Sequence, residues 1–290
     1  MLMAVPNVSE GADPGVLEAL GRSFTGARVL DVHTDADHGR SVFTLAAEQG
    51  ALSDSLVSGA AAAMECIDLR RHAGLHPLVG ALDVMPVVYL DHARRGPACA
   101  EALTAAARIG AELELPVVLY GELASEPEHR ERAWLRRGGP AGLAGRIEAG
   151  EVVPDFGPAR AHRSAGVVLA AVRPPLIAFN VDLVSGDLEL ARRIAAEIRE
   201  SGGGGLPGVR AMGVYLGARG RAQVSTNVHD HLATPLRAVV EAVRRRAEVA
   251  EAELVGLAPR AAMEGFPEDV VLRGFVPERH VIENALRSGG

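Results

Sequence analysis

The densest grouping of side chains able to move protons or hold a metal is His72-Ala-Gly-Leu-His76-Pro-Leu-Val-Gly80-Ala-Leu-Asp83. Two imidazoles four positions apart suggest zinc, but that chemistry needs both on one helical face. Gly74 and Pro77 interrupt any helix there, and no third ligand or glutamate base has metalloprotease spacing, so no metal site is expected. The remaining readings are a structural histidine near a helix C-terminus, where a cation is favoured, and a general acid-base group on a rigid loop. The structural reading fits His72 better. His76, between Gly74 and Pro77 in backbone that must be irregular, stays open to both.

Asp35-Ala-Asp37-His38-Gly39-Arg40 forms a second polar cluster. It reads as a solvated hairpin loop, with Arg40 able to clamp a carboxylate through its planar fork. A third segment, Pro154-Asp155-Phe156-Gly157-Pro158 followed by 159–166, has the glycine and proline content that lets backbone approach a flat ligand closely. It could equally link two lobes.

Composition removes several chemistries. All 30 basic residues are arginine, so a Schiff-base lysine, a pyridoxal phosphate anchor and a Walker-type phosphate lysine are excluded. A formal charge of -7 with six Phe, three Tyr and one Trp argues against a nucleic-acid surface. Cys66 and Cys99 sit in alanine-rich stretches and read as inert free thiols rather than a disulfide. No apolar run nears the roughly 18 residues that span a bilayer, and residues 1–6 lack the length and positive flank of a leader, so a cytoplasmic location is expected.

The elements that must position these clusters follow from periodicity and punctuation. A strand at 2–5 precedes a helix that starts at Asp13-Pro14 and runs to about residue 25. Strands at 28–33 and 41–47 flank the 34–40 loop; an alanine-rich helix covers 51–71, and a strand covers 82–89. A helix at 97–113 and a strand at 116–120 extend this unit before the Gly- and Arg-rich segment 130–150. Alternation then resumes with a strand at 176–183, a helix at 188–199, paired strands at 209–216 and 223–228, a helix at 235–250 and a strand at 252–257. The four glycines Gly202–Gly205 read as a flexible loop rather than a phosphate cradle. The order strand, helix, strand, strand, helix, strand thus occurs twice, which predicts an α+β protein of two split βαβ (ferredoxin-like) subdomains, 1–165 and 166–290, with a ligand cleft between them.

Taken in order, VPNVSEG (5–11), DADHGRSVFT (35–44), HAGLHPLVGALDV (72–84), LPVVLYGE (115–122), PDFGPA (154–159), LIAFNVDL (176–183), QVSTN (223–227) and ELVGL (253–257) resemble the glutamate formimidoyltransferase family, including the transferase part of formimidoyltransferase-cyclodeaminase. The resemblance is collinear over nearly the whole chain. It implies a folate-dependent transfer of the formimino group of N-formiminoglutamate to N5 of tetrahydrofolate, a co-substrate, without a metal. It implies that His76 is the proton-handling residue, and that the folate-binding segment is Gly157, Pro158, Ala159, Arg160, Ala161, His162, Arg163, Ser164, Ala165 and Gly166. Arg40, within a matched stretch, becomes the candidate substrate clamp. The resemblance also admits a homodimer, and a cyclodeaminase activity would have to come from a separate protein. The chain departs from the family's common HPRMGA at Leu78, and from its common asparagine at Gly39. A folate-binding homologue without activity, or a transferase with another amino-acid donor, are the alternatives these departures suggest.

Overall fold

The structure is a computed structural model that describes residues 1–203 and 205–287. The chain separates into two compact units, Met1–Pro174 and Pro175–Gly290. The break falls after the expected 165/166 boundary because 168–173, which sequence patterning did not mark as a strand, pairs inside the first sheet.

In the first unit β1 (Leu2–Ala4) and β2 (Asn7–Val8) act as one strand interrupted at Val5-Pro6. Helix α1 (Pro14–Ser23) follows, its start fixed by Asp13, whose carboxylate accepts from the Gly15 and Val16 amides at 2.8 and 3.2 Å. Strands β3 (Arg28–Asp35) and β4 (Arg40–Ala47) make the expected hairpin, and α2 (Ala51–Cys66) and β5 (Leu82–Val88) complete a βαββαβ order. Pairing runs β3, β4, β1 with β2, then β5, all antiparallel. This is the split βαβ arrangement.

Helix α2 stops at Cys66 rather than near residue 71. The Asp68 carboxylate accepts from the Arg70 amide and opens a separate 3-10 turn, Leu69–Arg71. Beyond β5 come α3 (Arg95–Glu112) and β6 (Val117–Leu119). Two short helices, α4 (Arg132–Leu135) and α5 (Gly139–Glu148), lie within the Gly- and Arg-rich segment. Strand β7 (Val168–Arg173) then enters parallel to both β5 and β6. The run Val167–Val172 shows no alternation because it is buried on both faces, the signature of an internal parallel strand.

Two apolar layers flank this sheet. Phe43, Leu45, Met85, Val168, Ala170 and Val172 pack with residues of α1, α2 and α3. Val84, Val118, Leu169 and Ala171 pack with Leu135, Leu143 and Ile147 of α4 and α5. The second layer covers only the β5, β7 and β6 end. Asn7, Arg40 and Asp83 lie beside it, at β2, β4 and β5.

The second unit repeats the order with β8 (Ile177–Leu183), α6 (Leu188–Ile198), β9 (Val209–Leu216), β10 (Arg221–Val228), α7 (Leu236–Arg244) and β11 (Val249–Val255). Its pairing is β11, β8, β10, β9, antiparallel throughout, with β12 (Leu272–Arg273) added parallel to β11. Helices α8 (Pro277–His280) and α9 (Ile282–Arg287), with β12, were not anticipated. Helix α7 ends at Arg244, since the residues from Val249 pair with β8 instead of extending it. Strand β8 divides by parity: Ile177, Phe179, Val181 and Leu183 join the core with α6 and α7, while Asn180 and Asp182 lie on the other face. Of Gly202–Gly205, Gly204 lies outside the described residues. Among the described residues no helix is long and apolar enough to cross a membrane.

Candidate active site

The histidine that the sequence left open is held by two loops that lock together. The turn 36–39 of the first hairpin and the loop 72–76 are joined by the Leu75 amide donating to the Asp37 carbonyl at 3.1 Å and the His76 amide donating to the His38 carbonyl at 3.3 Å. Glycines make this approach possible. A Cβ on Gly39 would lie 2.7 Å from both the Gly74 Cα and the His72 ring. One on Gly74 would lie 2.4 Å from the His38 carbonyl oxygen. Gly39 also has φ +61, so glycine at the position where the resembling family commonly has asparagine fits both the backbone and the space here.

Arg40 follows directly and is the hub. Its Nε and Nη2 donate to Asn7 Oδ1 at 2.9 and 2.5 Å, and its Nη1 donates to Asp83 Oδ2 at 2.8 Å and to His76 Nδ1 at 3.1 Å. The fork expected for a substrate carboxylate is therefore largely engaged by Asn7, Asp83 and His76, and its Nη1 contacts the His76 ring. A guanidinium can only donate, so His76 Nδ1 accepts, and a neutral His76 carries its proton on Nε2.

Asp83 is placed by a bulge. Asn7 pairs with Val84 and Val8 with Leu82, which leaves Asp83 between the registered pairs and re-aims its side chain. Fully buried, its Oδ1 accepts from the Val79 amide at 2.8 Å, and its Oδ2 accepts from both Arg40 and Arg136. Burial pushes the carboxyl upward, but Arg136, Arg40 and the Val79 amide outweigh it and hold Asp83 below its ordinary 3.8. Burial pulls Arg40 down to about 10 against the pull of Asp83, so it stays charged at neutral pH.

Half-buried His76 is driven strongly toward its neutral form, first by loss of water and then by the positive charges of Arg40, Arg136 and Arg132, with a further contribution from His38. The His38 ring lies 6.3 Å from that of His76 and 3.2 Å from the Asp35 carboxylate. His72 does not follow a long helix: its amide donates to Leu69 at the end of the 3-10 turn, and its Nε2 is buried without a partner. Leu78 is buried. Among the described residues no group of three or more His, Cys, Asp or Glu is arranged to hold a metal.

The segment Gly157–Gly166 is held at both ends. Gly157, at φ +80, packs on the backbone of Gly110 and Leu115. Gly166, at φ +69, bridges both Gly80 and His162 and packs on the Val79 carbonyl. The latter contact ties this end to the His76-Gly80 loop. Between them Arg160, Ala161, His162 and Arg163 line a cavity of about 460 Å³ with Met64, Leu113 and Glu114. His162 Nδ1 accepts from the Ala165 amide at 3.1 Å.

Asn7, Arg132, Arg136 and Arg173 were not singled out from the sequence. Their signal was weak: Arg132 and Arg136 stand one helical turn apart around the apolar pair Trp134-Leu135, inside a segment whose glycines read as linker. Arg173 closes a strand that was itself unseen.

The N-terminal subdomain of the formiminotransferase domain matches residues 1–173, and the formiminotransferase domain matches residues 178–267. The chain is 40% identical over 276 residues to the formimidoyltransferase-cyclodeaminase of Gallus gallus, covering 91% of this chain and 51% of that protein. It thus spans about half the length of that relative. It is 34% identical over 291 residues to the glutamate formimidoyltransferase of Streptococcus pyogenes serotype M1, covering 97% of each. It is 33% identical over 273 residues to the glutamate formimidoyltransferase of Thermoplasma acidophilum, covering 91% of this chain and 89% of the relative.

Proposed function

Because the chain belongs to the formiminotransferase family, we propose that it is a glutamate formimidoyltransferase that moves the formimino group of N-formiminoglutamate to N5 of tetrahydrofolate. The observation that carries the site reading is the Arg40 Nη1 donation to His76 Nδ1, which leaves one ring position, Nε2, for chemistry.

N5 of the reduced folate attacks the formimino carbon and forms a tetrahedral intermediate bearing a proton on N5. The carbon-nitrogen bond to glutamate breaks when that nitrogen is protonated. The N5 proton leaves to solvent water while the Nε2–H of His76 hydrogen-bonds the departing nitrogen and is given to it as the bond breaks; the water then returns the N5 proton to Nε2, so His76 ends in its starting state. The positive surroundings favour this neutral cycle, because a standing imidazolium is what Arg40, Arg136 and Arg132 oppose. Asn7 and Asp83 hold Arg40, and Arg40 holds the ring. The Gly157–Gly166 segment, tied at Gly166 to the Gly80 backbone, is the folate contact in this reading. Tetrahydrofolate enters as a co-substrate, and the side chains near His76 need no metal to run the step.

Incubation of the protein with N-formiminoglutamate and tetrahydrofolate, followed by mass spectrometry, tests the proposal. Equal amounts of glutamate and 5-formiminotetrahydrofolate are expected; neither product appearing, with a protein that remains folded, would overturn it.

A further inference from the structure

The charges around His76 do not balance. Asp83 is the carboxylate paired with both Arg40 and Arg136, and its oxygens are already shared among these two and the Val79 amide. Two further guanidinium groups flank this cluster: Arg132 stands one helical turn before Arg136, and Arg173 ends β7, whose Leu169 and Ala171, of the same parity, pack with Leu135 of α4. Arg132, at the start of α4, acts electrostatically on His76, Arg40, Arg136 and Arg173. It is half-buried and has no carboxylate partner among the described residues. Arg173, at the end of β7, is likewise half-buried and donates only to the neighbouring Pro174 carbonyl, at 3.0 Å. Buried Tyr120 lies near it. Arg136, with 8% of its side chain exposed, keeps a buried Nε without any partner.

Half-buried cations without a counter-ion, and a buried N–H without an acceptor, are costly in an isolated protein and become favourable when an anion arrives. Planar guanidinium groups select an anion with two oxygens in a plane. Since Arg40 is committed to Asn7, Asp83 and His76, the groups left to meet a ligand are Arg132 and Arg173.

We propose that Arg132 and Arg173 form a carboxylate-binding subsite on the sheet face that α4 covers, which fixes a substrate by its carboxylate while His76 handles protons. The subsite rests on the transferase reading above. A carboxylate can come from the amino-acid donor or from the glutamyl part of the folate, and the test separates the two.

Binding is measured by calorimetry, independently of turnover, for wild type, Arg132→Gln, Arg173→Gln and the charge-keeping Arg173→Lys, each checked for a native melting transition. The ligands are glutarate, formiminoglycine, tetrahydrofolate and tetrahydropteroate, which lacks the glutamyl group. KM and kcat with N-formiminoglutamate are measured alongside. Loss of one charge-assisted hydrogen bond should weaken carboxylate binding by about ten- to a hundredfold. If the donor occupies the subsite, glutarate binding and the KM for N-formiminoglutamate carry this loss, with kcat changed far less. If the folate occupies it, the loss appears for tetrahydrofolate and not for tetrahydropteroate. Arg173→Lys should recover part of the affinity. Should Arg173→Gln fail to fold, Arg132→Gln and Arg173→Lys decide. Affinities and KM equal to wild type in the folded variants would overturn the subsite while leaving the transferase reading intact. Wild type that neither binds nor turns over any of these compounds would overturn both.

Discussion

The two units carry the same strand and helix order, yet their polar sheet faces are built to opposite ends. In the second unit Asn180 and Asp182 on β8, Gln223 on β10 and Glu251 and Glu253 on β11 stand on one face with Arg273 of β12. Their charges answer one another. Asp182 accepts from Gln223 at 2.7 Å and faces Arg219 at 3.4 Å, while Arg273 pairs with Glu251 at 3.1 Å and Glu253 at 2.5 Å. In the first unit Asp83 answers Arg40 and Arg136, and Arg132 and Arg173 have no carboxylate partner among the described residues. A balanced network of this kind rigidifies a fold; an excess of one sign waits for a ligand. The duplication thus supplies the frame, and in the function proposed above the imbalance marks the copy of it that carries the chemistry.

The comparison is broken most sharply by removing one carboxylate from each face. Asp83→Asn leaves Arg40 and Arg136, with side chains only 12% and 8% exposed, without their counter-ion. The expected cost is about 3 to 5 kcal/mol in urea unfolding. Asp182→Asn leaves Arg219 and Arg273, at 32% and 28% exposed, in reach of water and other carboxylates, and should cost about 1 to 2 kcal/mol. Equal costs would dissolve the distinction.

The surroundings of the two hairpin turns, one packed against the Gly74 loop and one open, offer a second contrast. Gly74→Ala places a methyl group 2.4 Å from the His38 carbonyl and should cost about 1 to 3 kcal/mol while lowering kcat through a displaced His76. At Gly217, in the corresponding turn of the second unit, an added Cβ would meet nothing within 4 Å, so Gly217→Ala should leave the unfolding midpoint and kcat at wild-type values. A silent Gly74→Ala would show that the two loops are not locked.

The smallest effect is one of pH. His76 binds a proton below about 6.5 in the unfolded chain but not in the folded site, so unfolded protein takes up more protons there. Stability should fall as pH drops through this value, by at most about 1.4 kcal/mol per pH unit from this residue. Asp83, whose folded carboxyl titrates below 3.8, adds its own loss only at lower pH. His231 shifts in the same direction as His76, so the contribution is read as the difference between wild type and His76→Gln. Parallel pH profiles for the two would contradict the neutral assignment.

Much of this was legible in the residues. Capping at Asp13, the hairpins and the repeated βαββαβ order follow from local chemistry and periodicity. Sequence patterning missed β7 because a strand buried on both faces has no alternation, and it overran α2 and α7 because alanine-rich and amphipathic patterns do not reveal where tertiary pairing takes over. At the site, His76 was visible as a histidine in strained company, but its proton position depends on Arg40, 36 residues away in sequence. Asp83 stood inside the recognised cluster without a role, since only the bulge against Asn7 and Val8 turns it toward the arginines. Arg132 and Arg136 come to the His76 cluster through the way α4 is placed over the sheet, which no spacing along the chain records.

The most direct test of the account is the single-turnover rate of formimino transfer by His76→Ala at saturating N-formiminoglutamate and tetrahydrofolate. Loss of the proton-handling ring predicts a fall of about a hundred- to ten-thousandfold with the unfolding midpoint near wild type. A variant that transfers the group at the wild-type rate would contradict the assignment of His76 and, with it, the reading of the first unit as the catalytic copy.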